Sequence, residues 1–322
     1  MRKRALIAAA AALASLALPF QAFAQAYPSK LVRVVIPFPA GGPTDTVGRL
    51  LAQKLQEQTG QTFLIENAPG ANGAIGAEKV SRSKPDGYTL LFNASTFTTS
   101  PMVAKVIPYN VQRDFTPVAL VAKGPLAVSV TNGLPVKNIA DLVARAKAAP
   151  GGLNFAIGSV ASAGQLATVL LEKTAGIDLQ IVPYKGSAPA YQDLLGGQIQ
   201  GFVDPLLGAL SHHKANRVRV LAVTSRERVP SLPEMPTVAE TLPGFEAYSW
   251  YGLWGPANLP AEVVAKLNDE VNKALAPGSL RERLLQEGYI LAPGTPADFA
   301  RFQAEDMRQS EAIIREANIQ PE

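Results

Sequence analysis

The chain has 322 residues, and its length predicts two domains because one domain takes about 150 residues. Hydrophobic residues make up 47 % and charged residues 17 % of the sequence, a globular composition that excludes an intrinsically disordered chain. The absence of cysteine excludes a disulfide framework, a cysteine nucleophile and a thiolate metal site. The formal net charge is +4, and because Arg2, Lys3 and Arg4 account for most of it, the nearly neutral remainder argues against nucleic-acid binding.

The N-terminus has the three-part pattern of a secretory signal peptide. Three basic residues precede an apolar run from Ala5 to Leu18, and the small-x-small site Ala22-Phe23-Ala24 follows. The alternative is an uncleaved membrane anchor, but the run is shorter than the ~20 residues that span a bilayer. We therefore predict a signal peptide over residues 1–24, cleavage after Ala24 and a soluble protein in the periplasm.

Predicted strands and helices alternate along the rest of the chain. Alternation of this kind implies an α/β protein whose mostly parallel sheets carry helices on both faces. The predicted strands are Leu31–Phe38, Thr62–Glu66, Tyr88–Asn93, Leu126–Val130, Leu153–Ile157, Leu179–Tyr184, Ile199–Val203, Val218–Thr224 and Ser249–Gly255. The predicted helices are Pro43–Gly60, Ala74–Ser81, Asn138–Ala148, Ser162–Thr174, Ala188–Leu195, Leu206–Ala215, Pro260–Leu275, Leu280–Gln286 and Pro296–Ala317.

The C-terminal helices need a sheet to pack on. If they return to the first sheet, the chain crosses twice between two lobes, near Val121–Pro125 and Tyr248–Gly252. This arrangement predicts a clamshell on a two-strand hinge, with residues 25–123 and 249–322 in lobe 1 and residues 124–248 in lobe 2. Ligands of such sheets bind at the carboxyl ends of the strands, where helix N-termini converge.

One glycine-rich turn between a strand and a helix is a candidate ligand-binding loop. It runs from Pro37 to Asp45 and contains Gly41 and Gly42, which lack a Cβ and let a ligand approach the backbone N–H groups. The helix start adds about half a positive charge, which suits a carboxylate. The alternative is an ordinary tight turn without a ligand.

A second turn of the same kind, Ile157 to Gln165, lies in the other predicted lobe. Ser159 and Ser162 add hydroxyl groups, although Ser162 is equally explained as a plain helix cap. Two such turns, one in each lobe, are more specific than either alone, because closure would bring both helix starts onto one anion.

Five further candidate residues follow strands or lie on the hinge. Ser95, Phe97 and Thr98 belong to a hydroxyl-rich stretch that lines the cleft or is simply a polar loop. Asp204 ends a strand and would either accept a hydrogen bond from a ligand or cap the next helix. Trp250 lies on the hinge strand, where most aromatic residues are core.

Catalytic signatures are missing. His212 and His213 are the only histidines, and adjacent residues of a helix point in different directions, which argues against a shared metal. The Ser-x-x-Lys matches at Ser81 and Ser211 lack their companion elements. We therefore predict a protein that is not an enzyme and has no cofactor and no metal.

Many ordered segments resemble the periplasmic solute receptors of tripartite tricarboxylate transporters, also called Bug receptors. The similarity covers the whole chain after the leader. It includes VVIPFPAGGPTD (Val34–Asp45), ENAPGANGAIGAEKV (Glu66–Val80), KPDGYTLL (Lys84–Leu91), VPYKGSAPA (Val182–Ala190), MPTVAET (Met235–Thr241) and SWYGLWGPANLP (Ser249–Pro260). The resemblance implies a two-lobed type II periplasmic-binding-protein fold, a Venus flytrap. It also implies a monomer that captures a small carboxylate for the membrane subunits of the transporter.

In the family, the loops that match Pro39–Asp45 and Gly158–Gln165 hold the ligand carboxylate. Together with the candidates above, the expected ligand-binding residues are Phe38, Pro39, Ala40, Gly41, Gly42, Thr44, Asp45, Ser95, Phe97, Thr98, Gly158, Ser159, Ala161, Ser162, Gln165, Asp204 and Trp250. Relatives often carry G-x-G-T-x-x-H-L in the second loop and a histidine where this chain has Phe97. The loss of these polar groups suggests an aromatic carboxylate stacked on Phe97 or Trp250; the alternative is an aliphatic di- or tricarboxylate.

Two other functions remain open at this stage. A co-receptor for a two-component sensor kinase would use the same ligand-driven closure as a transport receptor. A periplasmic hydrolase would need a nucleophile motif, and the shortage of histidines argues against it.

Overall fold

The computed structural model describes residues 27–319, so the predicted signal peptide lies outside the described residues. The strands are β1 (Val32–Ile36), β2 (Phe63–Asn67), β3 (Thr89–Ala94), β4 (Phe115–Thr131), β5 (Asn154–Ile157), β6 (Gln180–Pro183), β7 (Gly201–Pro205), β8 (Val218–Val223), β9 (Tyr248–Pro256) and β10 (Ile290–Leu291). The helices are α1 (Pro43–Thr59), α2 (Ala74–Ser81), α3 (Thr96–Val103), α4 (Ile139–Ala148), α5 (Ala163–Ala175), α6 (Ser187–Leu195), α7 (Leu206–Lys214), α8 (Ala261–Ala274), α9 (Ser279–Gln286) and α10 (Pro296–Glu316).

The long strand β4 belongs to two sheets. Its first part pairs with β9, in the order β2-β1-β3-β9-β4 with β10 beside β4, and this is the first sheet. Its last residues pair with β7 and β8, in the order β8-β4-β7-β5-β6, and this is the second sheet. Strands β2, β1 and β3 of the first sheet and β7, β5 and β6 of the second are parallel, as predicted, whereas β4 and β9 run antiparallel to their neighbours.

The backbone crosses between the sheets at two neighbouring points. In β4, Pro125 still pairs with Tyr248 of β9, and the next residue, Leu126, pairs with Pro205 of β7. At the start of β9, the Ala247 N–H donates to the carbonyl of Thr224 after β8, at 3.0 Å. Thus the two crossings lie side by side.

Apolar residues cover both faces of each sheet. One core of the first sheet includes Val34 of β1 and Leu267 and Val271 of α8, so the C-terminal helices do return to this sheet. The opposite face packs Leu91 and two tryptophans against Phe299 of α10. The second sheet likewise has separate cores on its two faces, which makes each sheet the centre of its own α/β layer structure.

Local sequence signals explain most element ends. Gly60 and Gly176 end α1 and α5 in the left-handed conformation that glycine favours. The side chain of Asn138 accepts a hydrogen bond from the Asp141 N–H and begins α4. These ends agree with the prediction to within one residue.

Two segments differ from the prediction. The stretch Phe115–Pro125 is the first part of β4, and Pro117 is tolerated there because the β4–β9 register shifts next to it. Thr96–Val103 is a helix rather than a loop, and the Thr98 hydroxyl donates to the Ser95 carbonyl in its first turn at 2.7 Å.

Candidate functional site

A cavity of about 200 Å³ lies where the two sheets meet. Residues from both sheets form its wall, and the wall is mainly apolar, with hydroxyl groups and a few ionisable side chains. It is lined by Phe38, Pro39, Ala40, Gly42, Pro43, Thr44, Ala94, Thr96, Gly158, Ser159, Ser162, Ala163, Gly164, Lys185, Gly186, Ser187, Ala188, Pro189, Asp204, Pro205, Ser249 and Tyr251.

Five helices begin at this cavity. The first residues or N-caps of α1, α3, α5, α6 and α7 all belong to its wall. Only α5 has a side-chain cap at this end; among the described residues the other four have none. The first backbone N–H groups of a helix have no partner within the helix, and they carry partial positive charge. The wall is therefore built to receive an anion from several directions.

The first glycine-rich turn reaches the cavity, but not through every predicted residue. Gly42 and Thr44 line the wall. The Gly41 N–H instead donates to the Asp45 carboxylate at 2.9 Å, so this donor is already used within the turn. Asp45 also accepts from Arg49 and Asn67, at 2.8 Å each. Burial opposes its charge, but these hydrogen bonds hold the pKa of Asp45 below its usual value. Gly41 and Asp45 thus shape the turn and do not line the cavity.

The second turn reaches the cavity with Gly158, Ser159 and Ser162. Ser162 is the N-cap of α5, and its Oγ accepts from the Gln165 N–H at 3.2 Å. The Gln165 side chain accepts from the Ala161 N–H at 2.6 Å and holds this residue in a left-handed conformation, with φ of 55°. Ala161 and Gln165 therefore support the turn from behind and are not part of the cavity wall.

Asp204, predicted as a ligand-binding residue, lies on the cavity wall near the end of β7 and is 4 % exposed. Its Oδ1 accepts from the Ser187 hydroxyl at 2.8 Å, while Oδ2 has no hydrogen-bond partner among the described residues. It does not cap α7, whose N-cap is Pro205. Burial raises the pKa of Asp204 to about 7 and outweighs the nearby hydroxyls of Ser187 and Tyr191.

Phe97 and Trp250, predicted as aromatic contacts to a ligand, do not lie on the cavity wall. Phe97 is 2 % exposed and packs on Tyr109, Phe115 and Trp254, with ring centroids 4.8 to 5.4 Å apart. Trp250 is 1 % exposed and lies in the same core of the first sheet. Side chains of a strand alternate between its faces, so the neighbours of Trp250, Ser249 and Tyr251, line the cavity instead. Ser95 and Thr98 are also buried outside the cavity wall.

The loop between β6 and α6 is a third strand-to-helix turn at the cavity, and the sequence analysis missed it as a site. It contributes Lys185 and Gly186 to the wall, and the first turn of α6 adds Ser187 and Pro189. Glycine between a strand and a helix is the same signal that marked the other two turns. Lys185 is exposed and has no ion pair among residues 27–319.

A second, outer chamber of about 660 Å³ shares wall residues with the cavity, including Ser159 and Lys185. Near this chamber, two side chains of the first sheet's layer donate to backbone carbonyls of the second turn. The Asn72 amide donates to the Val160 carbonyl at 2.9 Å, and the Thr99 hydroxyl donates to the Ala161 carbonyl at 2.6 Å. These bonds join the first sheet's layer to the second turn.

Comparison with known proteins identifies the family. The sequence model of the family described as "Tripartite tricarboxylate transporter family receptor" matches residues 47–319 of this chain. The chain belongs to this receptor family. Protein BugT of Bordetella pertussis (strain Tohama I) is 33 % identical over 308 residues, which cover 95 % of this chain and 94 % of that protein. A protein of Pseudomonas sp. (strain P51), from the tcbD-tcbE intergenic region, is 37 % identical over 292 residues, covering 90 % of this chain and 87 % of that protein.

Solved structures agree with the receptor fold. R. palustris Rpa4515 with adipate has a TM-score of 0.89 and 35 % identity, and the match covers 92 % of this chain and all of that one (100 %). The periplasmic binding protein BugD has a TM-score of 0.85 and 33 % identity, and the match covers 92 % of this chain and 100 % of BugD. MatC from Rhodopseudomonas palustris with bound malate has a TM-score of 0.81 and 31 % identity, and the match covers 89 % of this chain and 100 % of MatC. The predicted periplasmic-binding-protein fold is confirmed, and the family comprises receptors rather than enzymes.

Proposed function

We propose that the receptor captures one small carboxylate in the cavity where the two sheets meet and presents it to the membrane subunits of a tripartite transporter. The observation that carries the proposal is the convergence of five helix starts, four of them without a side-chain cap, on one cavity. Backbone N–H groups and hydroxyls would hold the carboxylate without a full counter-ion. The adipate and malate complexes of two relatives support this choice of ligand.

An aliphatic dicarboxylate fits this cavity better than an aromatic acid. The argument for an aromatic ligand rested on Phe97 and Trp250, and both rings pack in the core of the first sheet. Lys185 offers a cation on the wall that the cavity and the outer chamber share. A second carboxylate would face Lys185 while the first faces the helix starts.

Closure would proceed by rotation of two lobes. We assign residues 25–123 and 249–322 to lobe 1 and residues 124–248 to lobe 2, because β4 and β9 carry the neighbouring crossings between the sheets. A hinge of two adjacent strands lets one lobe rotate without breaking either core. In this scheme each protomer contains a complete cavity, so the receptor acts as a monomer.

The receptor would work in the periplasm after cleavage behind Ala24. Among residues 27–319, no helix is long and apolar enough to cross a membrane. An intact mass of the exported protein that begins at Gln25 is the expected result. A mass that retains the leader would contradict this assignment.

Calorimetric titration with adipate, malate, citrate and benzoate tests the proposed function. We expect saturable one-to-one binding of at least one aliphatic acid, with a matching rise in the unfolding temperature. Benzoate should bind more weakly than the best aliphatic acid. If none of the acids binds to the purified protein, the assignment of the cavity to carboxylates is wrong.

Replacing Thr99 with Val is expected to weaken ligand binding about fivefold, because the second turn loses its hydrogen bond from Thr99 to the Ala161 carbonyl, a net loss of about 1 kcal/mol. Titration calorimetry with the best acid of the panel measures the change. Thr98→Val is the matched control, because the Thr98 hydroxyl bonds only to Ser95 within its own turn and does not donate to the second turn. Equal effects of both variants on affinity would contradict a role for the hydrogen bond between Thr99 and the Ala161 carbonyl.

A further inference from the structure

Asp204 is the acidic side chain on the cavity wall, and no cationic side chain of residues 27–319 pairs with it. The carboxyl is almost fully buried, and one of its oxygens is held by Ser187. The other oxygen, Oδ2, lacks a partner among the described residues. It lies 3.0 Å from the point where a Cβ on Gly208 would be, so the bare backbone of α7 leaves room beside it. No ion pair within residues 27–319 involves this carboxyl.

The groups that face Asp204 are hydroxyls rather than cations. Tyr191 comes from α6, Tyr251 from β9 and Tyr289 from the segment before β10; the negative charge of Asp204 would bear on all three rings. Burial raises the pKa of each of these tyrosines, to about 12 for Tyr251, so they stay neutral across the physiological range.

Two more distant groups complete the electrostatic surroundings. The His212 ring of α7 lies behind Tyr191, with ring centroids 4.5 Å apart, and burial lowers its pKa, which keeps the ring neutral at pH 7 and above. Lys185 also lies on the cavity wall, but its side chain is exposed to water. Neither group forms an ion pair with Asp204.

We propose that the receptor binds its carboxylate together with one proton, which is held on Asp204. This inference rests on the proposed function. An ionised Asp204 and a ligand carboxylate would put two negative charges into one mainly apolar cavity, whereas a neutral carboxylic acid removes the repulsion and supplies a hydrogen-bond donor. When Asp204 of the free receptor is ionised, the proton comes from the solvent as the ligand enters.

The direction of the pH dependence follows from this coupling. Below pH 7 the free receptor already carries the proton, so binding takes up none and affinity is nearly constant. Above pH 7 each ligand brings in about one proton, and affinity falls about tenfold for each pH unit. This dependence holds for a ligand without an ammonium group, because an ammonium beside Asp204 would favour the ionised acid and reverse the trend.

Titration calorimetry with adipate and malate, in buffers of different ionisation enthalpy, measures the coupled proton directly. At pH 8 we expect an uptake of about one proton per ligand, falling towards zero at pH 6. In the Asp204→Asn variant the uptake at pH 8 should vanish and the affinity should no longer change between pH 6 and pH 9. Uptake near zero in the unmodified receptor at pH 8 would overturn the inference, even if the variant did not fold.

Asp306→Asn is the matched control. Asp306 also has an Oδ2 without a partner among the described residues, and burial raises its pKa to about 6, but it is not on the cavity wall. This variant should keep the proton uptake at pH 8. Loss of binding by Asp204→Asn at every pH would instead mean that Asp204 acts as a charged acceptor, and loss of uptake in Asp306→Asn would place the proton elsewhere. Absence of binding by both acids at every pH would overturn the proposed function together with this inference.

Discussion

The Gly164→Ala variant is expected to lose both stability and ligand binding. Gly164 lies in the first turn of α5, where the helix packs against β7. A Cβ at this position would overlap the carbonyl oxygen of Val203, which is backbone and cannot rotate away. The helix would have to move off the strand. Overpacking of this kind lowers the unfolding free energy by about 1–3 kcal/mol. This loss exceeds the gain from the higher helix propensity of alanine.

The same displacement explains the expected effect on binding. The start of α5 carries Ser162, and the preceding turn carries Ser159, so both would move with the helix. We expect chemical denaturation to show a lower unfolding free energy, and calorimetry to show a loss of affinity of about tenfold or more.

Gly133→Ala is the control for the loss of glycine itself. An added Cβ at Gly133 would contact no other atom within 4 Å, so this variant should be as stable as the parent. Equal stability of the two variants would show that α5 does not depend on close approach to β7.

The parts of the site that sequence alone predicts are those with a local cause. The Gly-Gly-Pro turn before α1 and the serine cap of α5 depend on neighbouring residues, and both reach the cavity as expected. The same holds for Asp204, which lies near the end of a short buried strand and on the cavity wall.

The residues that sequence misplaced depend on long-range packing. The face on which Trp250 emerges is set by the register between β9 and β4, which no local signal encodes. Phe97 lies in a hydroxyl-rich segment that forms a helix because its buried side chains pack on distant aromatic rings. The Gly41 N–H belongs to a turn that the sequence predicts. This N–H donates to the Asp45 side chain, however, and that side chain is held in place by Arg49 and Asn67.

The Ser162→Asp variant is expected to fold as well as the parent and to lose carboxylate binding. Asp is as good an N-cap as Ser, and a negative charge at a helix start is favourable, so the unfolding free energy should not fall. The same carboxylate would lie on the cavity wall and repel the ligand. Two like charges about 4 Å apart interact by about 4 kcal/mol at an effective dielectric constant near 20, enough for a loss of affinity of about 100-fold or more.

Ser162→Asn and Ser162→Ala separate charge from capping. Asn keeps the cap without a charge, so its affinity should stay within a few-fold of the parent, whereas Ala removes the cap and should cost about 1 kcal/mol of unfolding free energy. Calorimetry with the best acid of the panel and urea denaturation measure the two effects independently. If Ser162→Asp binds as well as Ser162→Asn, the ligand does not place its carboxylate at the start of α5. If all three variants lose binding equally, the contribution of Ser162 is its hydroxyl contact rather than the electrostatics of the helix start.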